Sequence, residues 1–310
     1  MSPERLRPSD RHLAIVGPTA SGKSALAFAL AIGRGDCEIV TVDSMQVYRG
    51  MDIGTAKPTP AEQAEVPHHL LDLVDPDDDY TVSRFQADCL AVLADIEGRG
   101  RRGLLVGGTG LYLQSVTDGL DIPGQFPEVR AELDADPDTG ALFARLRELD
   151  PEAAGRMEPS NRRRVVRALE VTMGSGRPFS SFGPGLGTYP PSPFPVVGLD
   201  IERALLDRRI EERYAAQLAA GFVDEVERLL ARPAGLSRTA RQALGYAELL
   251  DHLEHGTPLD QAVEHAVRRT RRFARRQQRW FGRDPRIEWI PVDESVDANA
   301  LARLNGILGD

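Results

Sequence analysis

Lysine is almost missing from this 310-residue chain: the only two are Lys23 and Lys57, and every other basic side chain is arginine. A compact ammonium is thus kept at two places, both inside motif-like segments, where a planar guanidinium is a poor substitute. Cysteine is as scarce. Cys37 and Cys89 fit no CxxC or CxxH spacing, which excludes a zinc site and a disulfide framework and leaves two free, buried thiols. No apolar run approaches the ~20 residues of a membrane span, so no membrane partner is expected. The polar start, Met1 to His12, lacks a signal-like apolar region, and the cytoplasm is the expected address. No internal repeat is present.

Positive charge is also short overall, with a formal net charge of -9. Taken alone, that argues against a nucleic-acid partner, which needs a positive face. The distribution says otherwise. Acid collects at Asp72, Asp75, Asp77, Asp78 and Asp79, while Arg162, Arg163, Arg164 and Arg167 form one basic block and eight arginines from Arg268 to Arg283 form another. A polyanion has one face to bind.

What is present reads as a folded α/β protein. Apolar residues at 41% and charged residues at 27% are ordinary for a globular chain, and the length suits an enlarged domain or a core with an insertion. The run Leu13 to Val16, a Gly-rich turn and the helical pattern Ala25 to Ala31 give strand, loop and helix. A strand at Glu38 to Val42, a helix at Val82 to Ile96 and a strand at Gly103 to Val106 continue the alternation, which implies a doubly wound parallel sheet of the P-loop NTPase-like kind. Residues 122–195 break it with short charged helices and a Gly/Pro-rich stretch, so they are expected to be an inserted helical subdomain between core segments 1–121 and 196–310. Within it, a helix from Arg162 to Met173 is capped by Ser160 or Asn161 and closed by Gly174. Long helices return at Leu205 to Ala231 and Leu259 to Phe281. On the last, Arg268, Arg272, Arg275, Arg276, Arg279 and Arg283 oppose an apolar face centred on Gln277, whose amide must find partners and so either braces a core loop or faces the active-site floor.

Gly17-Pro18-Thr19-Ala20-Ser21-Gly22-Lys23-Ser24 is a complete GxxxxGKS loop between a strand and a helix. In such a loop the backbone N–H groups cradle phosphate, Lys23 neutralises its oxygens and Ser24 ligates Mg²⁺. The bound group is a nucleoside triphosphate or another diphosphate. Asp43 ends the second strand, where it either takes a proton or holds Mg²⁺, or else caps a turn. The third strand ends in Gly107-Gly108-Thr109-Gly110 with no acid, which disfavours plain nucleotide hydrolysis. His68 and His69 lack a ligand cluster and read as structural.

GPTASGKS at 17–24, DSMQVYRGMDIGTAKP at 43–58, GGTGLY at 107–112, RALEV at 167–171, RRIEERY at 208–214, QALGYAE at 242–248 and TRRFARRQQRWF at 270–281 together resemble the bacterial tRNA dimethylallyltransferases, the tRNA isopentenyltransferase family. The likeness runs along nearly the whole chain. It implies transfer of a dimethylallyl group from dimethylallyl diphosphate to the N6 amine of adenosine 37 in the tRNA anticodon stem-loop, with Mg²⁺ as cofactor; a monomer is expected. Asp43, Lys23 and Thr109 would be the catalytic residues. Residues Gly17 to Ser24, with Arg209 and Arg213, would hold the diphosphate. Asp43, Ser44, Met45, Gln46, Thr109, Arg130, Arg163, Arg164, Val165, Val166, Arg167, Gln242, Gly245 and Tyr246 would contact tRNA. A small-metabolite kinase, an adenylate prenyltransferase and a noncatalytic RNA-binding module are the competing readings.

Overall fold

The computed structural model describes residues 12–293 and 298–309; most of the polar start lies outside them. Six strands form one parallel sheet: β1 Leu13–Val16, β2 Cys37–Val42, β3 His68–His69, β4 Arg102–Gly107, β5 Val196–Ile201 and β6 Ile287–Val292. Their order is β3-β2-β4-β1-β5-β6. Because helices cover both faces, the central strands are continuous apolar runs and not alternating ones. Along β1, Leu13 and Ile15 enter one core beneath the helices Lys23–Arg34 and Ala298–Leu308, while Ala14 and Val16 enter the other, beneath Val82–Gly98 and Leu259–Phe281. The adjacent strands β1, β4 and β2 end at the same sheet edge, which gathers the loop Gly17–Ser24, the Gly107-Gly108 turn and Asp43 into one crevice.

Residues Asp118–Pro190 form a second compact unit. Its helices Pro127–Ala135, Thr139–Leu149, Pro151–Gly155 and Arg162–Ser175 enclose a small core of Leu133, Leu142, Leu146, Val165, Val166 and Leu169. Asn161 caps the last helix, its side chain accepting from the Arg164 amide. That helix outruns the expected stop at Gly174. Gly174 lies inside it because the Phe126 ring occupies the space of a Cβ there, and left-handed Gly176 ends it.

The long helix expected over Leu205 to Ala231 is two, Arg203–Ala219 and Phe222–Leu230. Gly221, at φ 92°, breaks them apart. His69 Nε2 donates to the Glu38 carboxylate at 2.7 Å, and His68 Nδ1 donates to the Val66 carbonyl, so both serve structure. Both cysteines are free and buried. Among the described residues no helix is long and apolar enough to cross a membrane.

Candidate active site

The loop Gly17–Ser24 is held in shape before any ligand arrives. Ser21 N donates to the Pro18 carbonyl at 3.2 Å, Ala20 adopts φ 64°, and Gly22 at φ 92° turns the chain into the helix that starts with Lys23. The Lys23 ammonium folds back to the Pro18 carbonyl at 3.2 Å. From the helix Arg203–Ala219, Arg213 reaches the Thr19 hydroxyl at 3.1 Å, and Arg209 approaches the Ser21 carbonyl at 3.4 Å. From the helix Leu259–Phe281, Gln277 accepts from the Thr19 amide at 2.8 Å and donates to the Gly108 carbonyl at 2.9 Å. Gln277 thus braces two loops and also lines the cavity they enclose.

That cavity measures about 480 Å³. Lys23, Arg209 and Arg213 surround it, and none of them has an ion-pair partner among the described residues. Burial holds the Lys23 pKa down at about 8, against the pull of the Asp43 carboxylate and with a further push from Arg213. Burial also lowers the pKa of Arg213. Desolvated cations without counter-charges are costly, and an anion entering the cavity relieves that cost. Asp43 is the one acid lining it among the described residues. Its Oδ1 accepts from the amides of Met45 at 2.8 Å and Gln46 at 3.4 Å, so the turn-capping role is present, while Oδ2 has no partner among the described residues. The Thr109 hydroxyl accepts from the Ser44 amide at 3.3 Å, joining the β4 turn to the Asp43 segment.

One wall was not foreseen. Thr55 and Ala56 line the cavity, and Gln46 Nε2 donates to their carbonyls at 3.0 and 3.1 Å. The turn behind them is fastened by a buried carboxylate. Glu225 accepts from the amides of Asp52 at 3.0 Å, Ile53 at 2.7 Å and Gly54 at 3.2 Å, and from the Tyr246 hydroxyl at 2.6 Å. Lys57, almost wholly enclosed, bridges Asp52, Asp72 and the Tyr48 carbonyl. The second lysine is therefore a staple, signalled in the sequence by the scarcity of lysine and by the DIGTAKP stretch. Phe273, one turn before Gln277, also faces the cavity.

Several residues expected to contact tRNA are turned inward or paired within the protein. Val165 and Val166 are fully buried in the core of the helical unit, and Tyr246 is buried against Glu225. Gly245, at φ 85°, is buried with Phe222 carbon atoms at 2.8 Å from where its Cβ would be, so it shapes the chain and offers no surface. Arg167 and Arg130 both turn to the buried Glu170, at 2.7 and 3.6 Å, and Glu170 also accepts from the Phe126 amide. Arg163, Arg164 and Gln242 are exposed. We expect Tyr246→Phe to cost about 1.5–3 kcal/mol in denaturant unfolding, the scale of a hydrogen bond to a charged group. tRNA affinity should stay unchanged, and a loss of affinity at unaltered stability would return Tyr246 to the RNA surface.

Residues 46–284 match the family model described as IPP transferase, and residues 11–72 match that described as Isopentenyl transferase. The chain belongs to the IPP transferase family. A tRNA dimethylallyltransferase of Kineococcus radiotolerans is 50% identical over 300 residues, 94% of each chain. One from Bifidobacterium longum is 47% identical over 302 residues, 95% of this chain and 90% of that one. Among solved structures, the full-length tRNA isopentenylpyrophosphate transferase of Bacillus halodurans matches with TM-score 0.70 and 37% identity over 97% of both chains. A eukaryotic dimethylallyltransferase acting on tRNA matches with TM-score 0.78 and 26% identity, over 94% of this chain and 77% of that one. As an IPP transferase family member the protein is an enzyme, a transferase that dimethylallylates tRNA.

Proposed function

We propose that the cavity binds dimethylallyl diphosphate by its diphosphate, on a fold of the P-loop NTPase-like kind, and delivers the dimethylallyl group to the N6 amine of adenosine 37. The observation that carries this reading is the pair of half-buried cations, Lys23 and Arg213, which lack an ion-pair partner among the described residues and share the cavity with the Asp43 carboxylate. Lys23, Arg209, Arg213 and the amides of Gly17–Ser24 hold the diphosphate as the bond between C1 and its oxygen breaks. N6 bonds to C1, its proton passes to Asp43 Oδ2, and diphosphate leaves. Thr109 keeps the Asp43 segment in register through the Ser44 amide.

The family resemblance implies Mg²⁺, and the donors fit it. The Ser24 hydroxyl is exposed at the cavity and has no hydrogen-bond partner among the described residues. Among the described residues no cluster of three or more His, Cys, Asp or Glu forms a cage. Mg²⁺ commonly keeps several waters and takes few protein ligands beside substrate phosphates, so the Ser24 hydroxyl with diphosphate and water would complete its shell. When bound it supplies charge to the departing diphosphate oxygens.

Transfer of labelled dimethylallyl from its diphosphate to tRNA in a single turnover tests the assignment, with ATP consumption measured beside it. ATP turnover without prenyl transfer would make the cavity a kinase site instead.

The tRNA is proposed to meet exposed arginines on each unit separately. Arg163 and Arg164 stand at the start of the helix Arg162–Ser175. On the helix Leu259–Phe281, Arg268, Arg269 and Arg271 pair with Glu264, Glu248 and Glu211, whereas Arg272, Arg275 and Arg276 have no acidic partner among the described residues. Changing Arg272 and Arg275 to Gln should flatten the salt dependence of tRNA affinity, by a slope of about 0.7–0.9 per lost phosphate contact. An unchanged slope over a salt series would remove this helix from the binding surface.

A further inference from the structure

Gln277 connects the two halves of the cavity. Its Oε1 takes the Thr19 amide on the phosphate side, and its Nε2 gives a hydrogen bond to Gly108 on the side that carries Thr109, Ser44 and Asp43. The amide's orientation is dictated by these partners. Reversed, it would set N–H against N–H at Thr19 and oxygen against oxygen at Gly108. Gly108 is shaped for the contact, since a Cβ there would lie 2.1 Å from Gln277 Nε2. One turn on, the Trp280 ring sits 2.3 Å from where a Cβ of Gly110 would be, so the helix is seated on the β4 turn at two points. A continuous series of contacts therefore runs from Arg213 through Thr19, Gln277, Gly108 and Thr109 to Ser44, next to the carboxylate.

We propose that Gln277 is a positioning residue for the transfer step, setting the separation between the diphosphate cradle and the Asp43 carboxylate. The inference rests on the diphosphate reading of the Gly17–Ser24 loop. Displacement chemistry is sensitive to this separation, because C1 must lie in line between the leaving oxygen and N6, and an ångström of misplacement costs about 10²-fold in rate. A side chain needed only to fill core volume makes the opposite forecast, as leucine fills nearly the same space without polar atoms to satisfy.

The test measures single-turnover transfer, tRNA affinity and thermal unfolding for Gln277→Leu and Gly108→Ala, with Lys23→Ala as a control on binding of inorganic diphosphate. Gln277→Leu should lose about 10²-fold in the rate of transfer with tRNA affinity within about twofold of the wild type. The misaligned site should also release more dimethylallyl alcohol, formed when water oxygen bonds to C1 as the bond between C1 and the diphosphate oxygen breaks, diphosphate leaves and the water proton passes to solvent. Gly108→Ala, which pushes the amide aside, should act in the same direction. If Gln277→Leu lacks a cooperative melt, Gly108→Ala carries the test alone. Transfer within about threefold of the wild type, or tRNA affinity that falls in step with the rate, overturns the proposal. Lys23→Ala that still binds diphosphate and transfers normally defeats the loop reading itself; an inactive Lys23→Ala beside an active Gln277→Leu defeats only the role of Gln277.

Discussion

Lys23→Ala should reduce dimethylallyl transfer on the order of 10³-fold, the upper range for removing one group that stabilises developing negative charge. The same change should raise the melting temperature of the ligand-free enzyme. Burial lowers the lysine's pKa to about 8 in the fold, while the unfolded chain keeps its ordinary high value. Between those values the unfolded chain binds more protons, so stability rises with pH across that window, and at neutral pH the buried charge is a cost that alanine removes. Affinity for the diphosphate should run the other way, weakening as pH climbs through about 8 and the ammonium loses its proton. A pH series of KM for dimethylallyl diphosphate, with unfolding followed on the same two proteins, checks both. A destabilised Lys23→Ala with normal turnover would show that the lysine serves the loop's shape alone.

Asp43→Asn is expected to slow transfer by about 10²- to 10⁴-fold, the span usual for loss of a general base. The amide oxygen can still accept from the Met45 and Gln46 amides, so the turn that Oδ1 caps should survive. What disappears is the capacity to take a proton at Oδ2. tRNA affinity should change much less than rate in a filter-binding or fluorescence titration. Equal losses in both would make Asp43 a cap whose loss shifts the whole segment.

Much of the fold was open to sequence reasoning because it rests on local pattern. Four of the strands are apolar runs bounded by turns, and the loop Gly17–Ser24 carries its identity in consecutive residues. The two-residue edge strand β3 has no such pattern, and β6 reads as Ile-Glu-Trp-Ile-Pro-Val, half buried at the other edge. The break at Gly221 was missed because apolar residues continue at helical spacing on both sides of it. Within the site, Lys23, Asp43 and Gln277 were legible from motif, strand end and helix face. Glu225 was not. It is an acid on an amphipathic helix, and only tertiary structure brings it to three amides more than 170 residues earlier. Tyr246 and Val165 entered as tRNA contacts through the family resemblance, which does not carry side-chain direction, and the fold turns both inward.

The scarcity of lysine has a practical consequence for covalent chemistry. Reagents that acylate amines find arginine inert, and Lys57 is enclosed between two carboxylates. Apart from the chain's α-amine, the amine left to them is Lys23, at the wall of the cavity and with a pKa of about 8, so that far more of it is free base near neutrality than of an ordinary lysine. Amine labelling of this protein is thereby a probe of cavity occupancy, and the surface stays largely silent.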